Sequence, residues 1–525
     1  MNVTYRKTLC LALALLLVCS LSGCGGAATT LLTSAVSGAQ SGEILIELSD
    51  AGSSCGSAAV SIDGGTITVG AAGTYRLRGT LSDGQIVVNA PGSAKVKLIL
   101  DGAEVTKTGS AAILARSADK LILASAAGSV NSLASVGVFS DEDDADAAVF
   151  ARCDLNLNGD GAVSISCESG HGVVTKDDLK IKGGTVSVSA AKKGVVGRDS
   201  VTVEGGVLSI ESGAGGLVSS NDKDAEDGNI EIRGGSVSIR SAEDGLHASN
   251  SVTIADGELV LSSRDDGVHA DAALRISGGR LTVLQSYEGL EAQVISISGG
   301  VIDITASDDG LNAAGGSDGS NGFGPFGEDP FAVDLDASLS ISGGVINIDA
   351  GGDGLDSNGA LLVSGGVLTV SGPTSNGNGA IDYGGSAVIT GGTVVAAGAA
   401  GMAENFGSGS TQGSILLFFP AQEAGSTVSL SDESGAVLAS YTPSKSYNSV
   451  VVSAEGMRVG GSYTLTAGSY SETVTLSSVI YGSGMSAFGG GPGGPGGPGG
   501  GHGGFGGGHG GFGGGIGSPG GPGRP

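Results

Sequence analysis

The sequence has no tryptophan, and aromatic residues make up only 4% of its 525 positions. Large rings normally fill wide cores, so a broad globular interior is excluded. Lysine and arginine are also scarce, 25 against 53 aspartates and glutamates, which gives a formal charge of −28. Direct binding to nucleic acid or to an anionic membrane surface needs clusters of those missing cations, and an acidic ligand would need a bridging cation. The apolar run from Leu9 to Leu21 is too short to span a bilayer as a helix. What the chain has instead is glycine, 101 residues of it, with many β-branched residues and a mean hydropathy of +0.23. Wholesale disorder is therefore excluded too, and a thin, regular interior remains.

The two ends read as address and tail. Arg6 and Lys7 precede the apolar run as in a secretory signal, which closes on Leu21-Ser22-Gly23-Cys24. This resembles the bacterial lipoprotein signal, in which the cysteine is lipidated, here Cys24, and becomes the new N-terminus. A plain signal peptide that happens to contain a cysteine is the alternative. Removal of Cys10 and Cys19 and capping of Cys24 leave Cys55, Cys153 and Cys167, an odd number that supports no disulfide framework. Cys153 and Cys167 could pair or remain buried thiols. From Gly489 to Pro525 the chain is almost only Gly and Pro with occasional Phe and His, including His502 and His509, and reads as a disordered spacer. The expected division is a signal peptide at 1–23, a linker at 24–42, a repeat domain at 43–400, a small C-terminal β segment at 401–485 and the tail at 486–525.

Between the ends lies an internal repeat. One motif is Gly-Gly followed by an alternating strand, as in Gly234-Gly235-Ser236-Val237-Ser238-Ile239 and Gly278-Gly279-Arg280-Leu281-Thr282-Val283. The other is acid-Gly-aliphatic: Asp244-Gly245-Leu246, Asp266-Gly267-Val268, Glu288-Gly289-Leu290, Asp309-Gly310-Leu311 and Asp353-Gly354-Leu355. Earlier copies at Gly172, Gly194 and Gly216 keep the glycine without the acid. Ten residues separate the glycines at 235→245, 257→267, 279→289 and 344→354, and usually twelve lead to the next copy, so the unit is 22 residues. Each unit holds two alternating strands and a third short extended piece, none of which can form a domain alone. Stacked coils with three strands per turn solve this, so the spacing predicts an all-β parallel β-helix.

Two intervals depart from twelve. Gly216 to Gly235 is 19 residues and Gly310 to Gly344 is 34, and both insertions follow the acidic motif. Insertions in a solenoid mark a loop-bearing face, often a binding face. The larger holds Phe323, Phe326 and Phe331, which are candidate sugar-stacking residues or part of a plain Gly-rich loop.

Because the acidic motif recurs at one point of each coil, its carboxylates should form a ladder spaced about 4.8 Å apart. Stacked like charges repel and need a neutralising cation. Asp244, Asp265, Asp266, Asp271, Glu288, Asp308, Asp309, Asp353 and Asp356 offer hard oxygens without a cysteine cluster, a set that suits Ca²⁺. The alternative is a series of turn residues facing water.

Several segments carry a family resemblance: Asp141 to Phe150, Thr175 to Gly184, the Asp-Asp-Gly-Val-His-Ala-Asp form at 265–271 and Gly73 to Gly84. They resemble the bacterial carbohydrate-binding β-helix lipoproteins related in shape to polysaccharide lyases, over residues 43 to 485 including the Tyr447–Ser453 and Gly461–Leu465 segments. The resemblance implies a right-handed β-helix, bound Ca²⁺ and attachment to polysaccharides such as cellulose or acidic pectic sugars at the cell surface, without catalysis. A β-helix lyase would instead need a cationic base beside Ca²⁺. Arg264 is the best-placed candidate, with a surface ion-pairing role as its alternative, and Lys192 and Lys193 sit where the acids are missing. His247 and His269, at equivalent positions, are expected as stacked outward or turn-filling imidazoles. Absence of tryptophan counts against a flat platform for crystalline cellulose and favours polar or calcium-bridged contact with uronates. A purely structural spacer explains anchor and solenoid but not the acidic ladder.

Overall fold

The computed structural model describes residues 42–140, 144–314 and 334–483. Among them there is no α-helix, and nearly all strands join one large, mostly parallel sheet. Through the middle of the chain its topology follows a simple rule: a strand pairs with the strand three before it and the strand three after it. Ser236–Ser241 lies parallel between Val207–Ser212 and Glu258–Ser262. Leu246–Ala248 lies between Leu217–Ser219 and Val268–Ile276, and Ser251–Ile254 continues the pattern. The chain thus winds in coils of three strands. Register reproduces the unit read from the spacing, with Leu246 opposite Val268 and Val268 opposite Leu290.

Alternation decides which side chains face in. In Ser-Val-Ser-Ile-Arg-Ser, Val237 and Ile239 are buried and stack on Leu208 and Ile210 below and on Leu259 and Leu261 above. Columns of Leu, Ile and Val repeat this along the whole interior. Rings are few, as a narrow interior requires, and Tyr75 is the largest fully buried side chain. Cys153 and Cys167 are buried free thiols, and burial pushes the Cys153 thiol up to about 11. No disulfide joins them.

Two kinds of glycine hold the coils in register, for different reasons. Gly279, the second glycine of its pair, has φ of +75°, a left-handed turn conformation that side chains avoid. Gly267 has no such angle; a Cβ there would meet the carbonyl oxygen of Gly289 in the next coil at 2.5 Å and Val283 Cγ1 at 2.9 Å. The first glycine is a turn requirement and the second a packing requirement.

The insertions do not add coils. On the far side of the larger one, Ser338–Ala350 pairs directly with Leu290–Ile297 and Val301–Ala306. Leu311–Ala313 likewise pairs directly with Leu355–Ser357. The three phenylalanines, the Cys24 signal and the Gly/Pro-rich tail lie outside the described residues. At one end of the stack the hairpin Val60–Asp63/Thr66–Val69 supplies antiparallel pairing. At the other, Tyr447–Ser453 runs antiparallel to Ser386–Gly398 and covers an edge that would otherwise invite another chain. A separate four-stranded antiparallel sheet, Val437–Tyr441, Val428–Ser431, Ser462–Ala467 and Tyr470–Thr475, shares a second, smaller core with Tyr447–Ser453 and its neighbours in the large sheet.

The close approach at Gly267 predicts that Gly267→Ala lowers stability by about 1–3 kcal/mol, the usual cost of overpacking. Gly92→Ala, where a Cβ meets nothing within 4 Å, should leave stability unchanged or slightly raised. Urea midpoints of the two variants check this; equal midpoints would contradict the packing account.

Candidate functional site

The acidic motif sits where each coil turns from one strand into the short third strand. Backbone bonds place its members one above another: the amides of Gly245, Gly267, Gly289 and Gly310 donate to the carbonyls of Asp266, Glu288, Asp309 and Asp353. The expected ladder of Asp244, Asp266, Glu288, Asp309 and Asp353 is therefore a physical column. Side chains reinforce it. Asp244 Oδ1 accepts the Asp266 amide at 3.1 Å and Asp266 Oδ1 the Glu288 amide at 3.2 Å. Further along, Asp309 Oδ1 accepts the Asp353 amide at 2.6 Å. Each of these three carboxylates spends one oxygen on the next coil; the other meets a histidine in Asp244 and Asp266 and is left for a ligand in Asp309.

A second column runs beside the first, three residues further on in every coil. Register aligns His247, His269, Glu291, Asn312 and Asp356. Followed the other way, the same column continues as Val218, Val196, Val174, Phe150 and Leu114, which form a small apolar cluster of their own. One outward position thus changes from apolar to ligand-bearing at the coil where the acids begin. The earlier coils at Gly172, Gly194 and Gly216, which lack the acids, pack hydrocarbon on that part of the face.

Three groups of oxygen and nitrogen donors converge between the columns, with the atoms of each group within 4.8 Å of one another: Asp244, Asp265 and Asp266; Asp266, His269 and Glu291; and Asp309, Asp353 and Asp356. His269 Nδ1 lies 2.6 Å from Glu291 Oε2 and 3.2 Å from Asp266 Oδ2, and its Nε2 lies 3.2 Å from Asp271. His247 pairs with Asp244 at 2.9 Å, and the two imidazoles stack at 5.0 Å and 7°. The expected stacking is present, and His269, although it stands in the outward column, is 1% exposed. Between the histidine end and the all-oxygen end, Asn312 Nδ2 donates to Glu288 Oε2 at 2.8 Å, while the buried Asn312 Oδ1 has no partner.

Other expected residues stand apart. Asp271 touches the cluster only through His269 Nε2. Asp308 is turned toward Tyr287, whose phenol it pushes up to about 12. His269, Glu291 and Asn312 were missed as cluster members. Their signal is the fourth position of acid-Gly-aliphatic-x, which holds His, His, Glu, Asn and Asp in five successive acidic copies. Arg264, expected as an ion-pairing residue or a base, makes no ion pair among the described residues.

Burial decides the electrostatics. It pushes Glu288 up to about 9, helped by the charge of Glu291, and Asp353 up to about 8, helped by Asp309. Asp356 rises to about 7 through burial and then Asp309 and Asp382, and Asp309 rises to about 6, mainly through burial. Burial also raises Asp266, to about 7. For His269 burial opposes the charged form, but its bonds to Asp266, Asp271 and Glu291 carry it well above the usual imidazole range. Burial opposes ionisation of Glu291 as well, and its bonds to His269 and Asp266 hold it below the usual carboxylate value. At neutral pH the far end of the face therefore holds buried carboxyls short of counter-charge, and a cation would supply it. Hard oxygens from Asp309, Asp353, Asp356 and Glu288 with the amide oxygen of Asn312 fit Ca²⁺.

Parts of the chain are similar to known proteins. Residues 63–318 match the family model of carbohydrate-binding domain-containing proteins. A carbohydrate-binding domain-containing protein of Acetivibrio thermocellus is 30% identical over 188 residues, which is 35% of this chain and 65% of that protein. The chain thus spans just under two thirds of that relative's length. A polysaccharide lyase-like protein from C. thermocellum, solved as a gadolinium derivative, aligns with a TM-score of 0.43 at 30% identity, covering 45% of this chain and 96% of that one.

The raised carboxyls set a pH dependence whose sign is fixed. A group that holds its proton more tightly when folded contributes stability at low pH and loses it as pH rises through its folded value. For Asp309, Asp356, Asp353 and Glu288 that window opens at the ordinary 3.8 of Asp and 4.5 of Glu and closes at about 9. In chelator, the melting temperature should fall progressively across this window, and saturating Ca²⁺ should flatten the decline. A chelated protein whose melting temperature rises with pH there would contradict the assignment.

Proposed function

We propose that the chain is a non-catalytic, calcium-dependent polysaccharide-binding protein of the bacterial cell surface. In this reading the coil is a right-handed parallel β-helix, the handedness that parallel crossovers almost always take. Cys24 carries the lipid that tethers it to the membrane, and the Gly/Pro-rich tail is a spacer. The ligand is an acidic glycan of the pectic type, with cellulose-type chains as the neutral alternative. The match of residues 63–318 to carbohydrate-binding proteins supports glycan binding.

The observation that carries the calcium dependence is the double column. Its carboxyls are pushed up by burial, and it also holds a buried amide oxygen, that of Asn312, with no partner. A divalent cation bound there by Asp309, Asp353 and Asp356 would answer both and would keep an open side for a uronate carboxylate. Asp244, Asp265, Asp266 and Glu288 would complete the neighbouring positions. On the large insertion, Phe323, Phe326 and Phe331 would add apolar faces for sugar rings.

Binding differs from cleavage in what must stand beside the cation. Lyase chemistry requires a cation to neutralise the uronate and a basic side chain beside it to take the α-proton. Lys192 and Lys193 lie on coils without the acid column, Lys193 occupying that very position.

Chelation should lower the melting temperature of the mature domain, since a ligand bound only by the native state stabilises it by mass action. Asp353→Asn with Asp356→Asn should reduce that chelator-sensitive shift. Polygalacturonate should be retained with Ca²⁺ and released with chelator, without forming absorbing unsaturated uronate. Absence of bound calcium by elemental analysis, with unchanged melting in chelator, would refute the calcium reading. Sustained product formation abolished by Arg264→Ala would establish a lyase instead. Replacing Phe323, Phe326 and Phe331 by alanine should weaken glycan binding by about 1–3 kcal/mol with little change in stability; unaltered affinity would remove the insertion from the binding face.

A further inference from the structure

Rings are scarce in this chain, and the fold covers almost all of them. Among the described residues two are exposed, Tyr287 at 48% and Phe418 at 37%. Phe418 lies in Ser414–Gln422, outside the acidic repeat, whereas Tyr287 stands immediately before Glu288 of the acid column. Backbone bonds stack it as they stack the acids. Its amide donates to the Asp265 carbonyl at 2.8 Å, its carbonyl accepts from the Asp308 amide at 2.9 Å, and the Gly352 amide donates to the Asp308 carbonyl at 2.9 Å. Asp265, Tyr287, Asp308 and Gly352 thus form a third column beside the acids, with one aromatic member.

Single exposed apolar side chains need no explanation, but two further observations set Tyr287 apart. The first is a tether. Its hydroxyl donates to the Asp308 carboxylate, and the charges of Glu288 and Asp309 act on the same phenol. Gly352 leaves room for that carboxylate, because a Cβ there would collide with Asp308 Oδ1. The ring is therefore held at its tip while its flank stays open to solvent. The second is a β-bulge three residues earlier. In Arg280–Gln285, Val283 lies opposite Leu261 but Gln285 lies opposite Ser262, so Leu284 has no opposite residue in the coil before and is 57% exposed. Bulges of this kind re-aim side chains beside functional sites. Ordering a ring without covering it costs side-chain entropy and leaves apolar area in water, and a flat ligand laid on the ring would offset both.

We propose that Tyr287 is the stacking platform for one pyranose ring of the bound glycan, an inference that rests on the polysaccharide-binding reading above. A pyranose ring has faces made of C–H groups and a rim of hydroxyls. The C–H groups suit the electron-rich face of a phenol ring, and the rim is left for the polar groups of the columns. The tether sets the order along the ligand. Tyr287 is bonded to Asp308, the neighbour of Asp309, so a sugar on the ring lies next to the sugar whose carboxylate a cation at Asp309, Asp353 and Asp356 would hold. An acid column alone accepts a cation and whatever anion bridges to it. The ring adds selectivity for an anion that carries a flat apolar face.

The test titrates the calcium-saturated chain with trigalacturonate and cellotriose, in parallel with Tyr287→Ala and Tyr287→Phe, and measures bound calcium in each. Tyr287→Ala should bind trigalacturonate about threefold to tenfold more weakly, with calcium content and the chelator-induced melting shift as in the parent. Tyr287→Phe keeps the ring and loses only the tether, so it should recover most of that affinity. Parental affinity in Tyr287→Ala would overturn the platform while leaving the calcium column standing. Equal loss in Tyr287→Phe and Tyr287→Ala would place the contact at the hydroxyl and overturn stacking. Calcium lost in step with affinity would make the ring a support of the cation site, which overturns the platform too. A parent that takes cellotriose and refuses trigalacturonate would overturn the acidic-glycan reading alone, and the Tyr287→Ala loss, read on cellotriose, would still decide the platform. A parent that binds calcium but neither sugar would overturn the polysaccharide-binding reading, and the platform with it.

Discussion

Everything in this molecule depends on how closely one coil can approach the next at the turn after the acid. At Gly245 and Gly267 the carbonyl oxygen of the following coil comes within 2.5 Å of where a Cβ would stand. That contact allows only glycine, and it fixes the vertical alignment of the residues on either side. Alignment is what converts a sequence motif into a column: once Gly245 lies over Gly267, Asp244 must lie over Asp266 and His247 over His269. A slip of one residue would turn these side chains to the opposite face. Interior packing of Leu246, Val268, Leu290 and Leu311 acts in the same direction, because those side chains are fully buried and can face only inward.

A register that strict has an electrostatic cost. Carboxyls held about one coil spacing apart and largely removed from water repel each other and resist ionisation. Part of that cost is offset within the protein, since Asp244, Asp266 and Asp309 each accept a backbone amide from the next coil. His269 offsets another part at one end, where its positive charge sits among Asp266, Asp271 and Glu291. No described Lys, Arg or His forms an ion pair with Asp309, Asp353 or Asp356. The two ends of the same face therefore differ in kind, one internally neutralised by an imidazole and the other without a cationic partner among the described residues.

The architecture was legible because glycine and alternation are both local signals. Gly-Gly before Val237 and Ile239 announces a turn and a strand, and its recurrence gives the coil. The acid column was legible for the same reason, as Asp244, Asp266, Glu288, Asp309 and Asp353 share one motif. Its partner column was harder to see, since His247, His269, Glu291, Asn312 and Asp356 share a fixed offset from the acid but no common chemistry, and register shows what that offset means.

The outward column that passes from Leu114 and Phe150 through Val174, Val196 and Val218 to His247 and beyond shows how a solenoid can divide its labour without dividing its fold. Backbone pairing is indifferent to what stands at an outward position, so successive coils can change that residue freely while the interior stays constant. In the lower coils hydrocarbon fills the site, and the acids, which would have to be buried beside it, are missing. In the upper coils hydrogen-bonding side chains occupy it, beside the acids. Acids and polar partners appear at the same coil, Asp244 with His247, because neither is tolerable without the other: a carboxylate beside Val218 would lose its water and gain nothing, whereas one beside a donor or a cation is compensated.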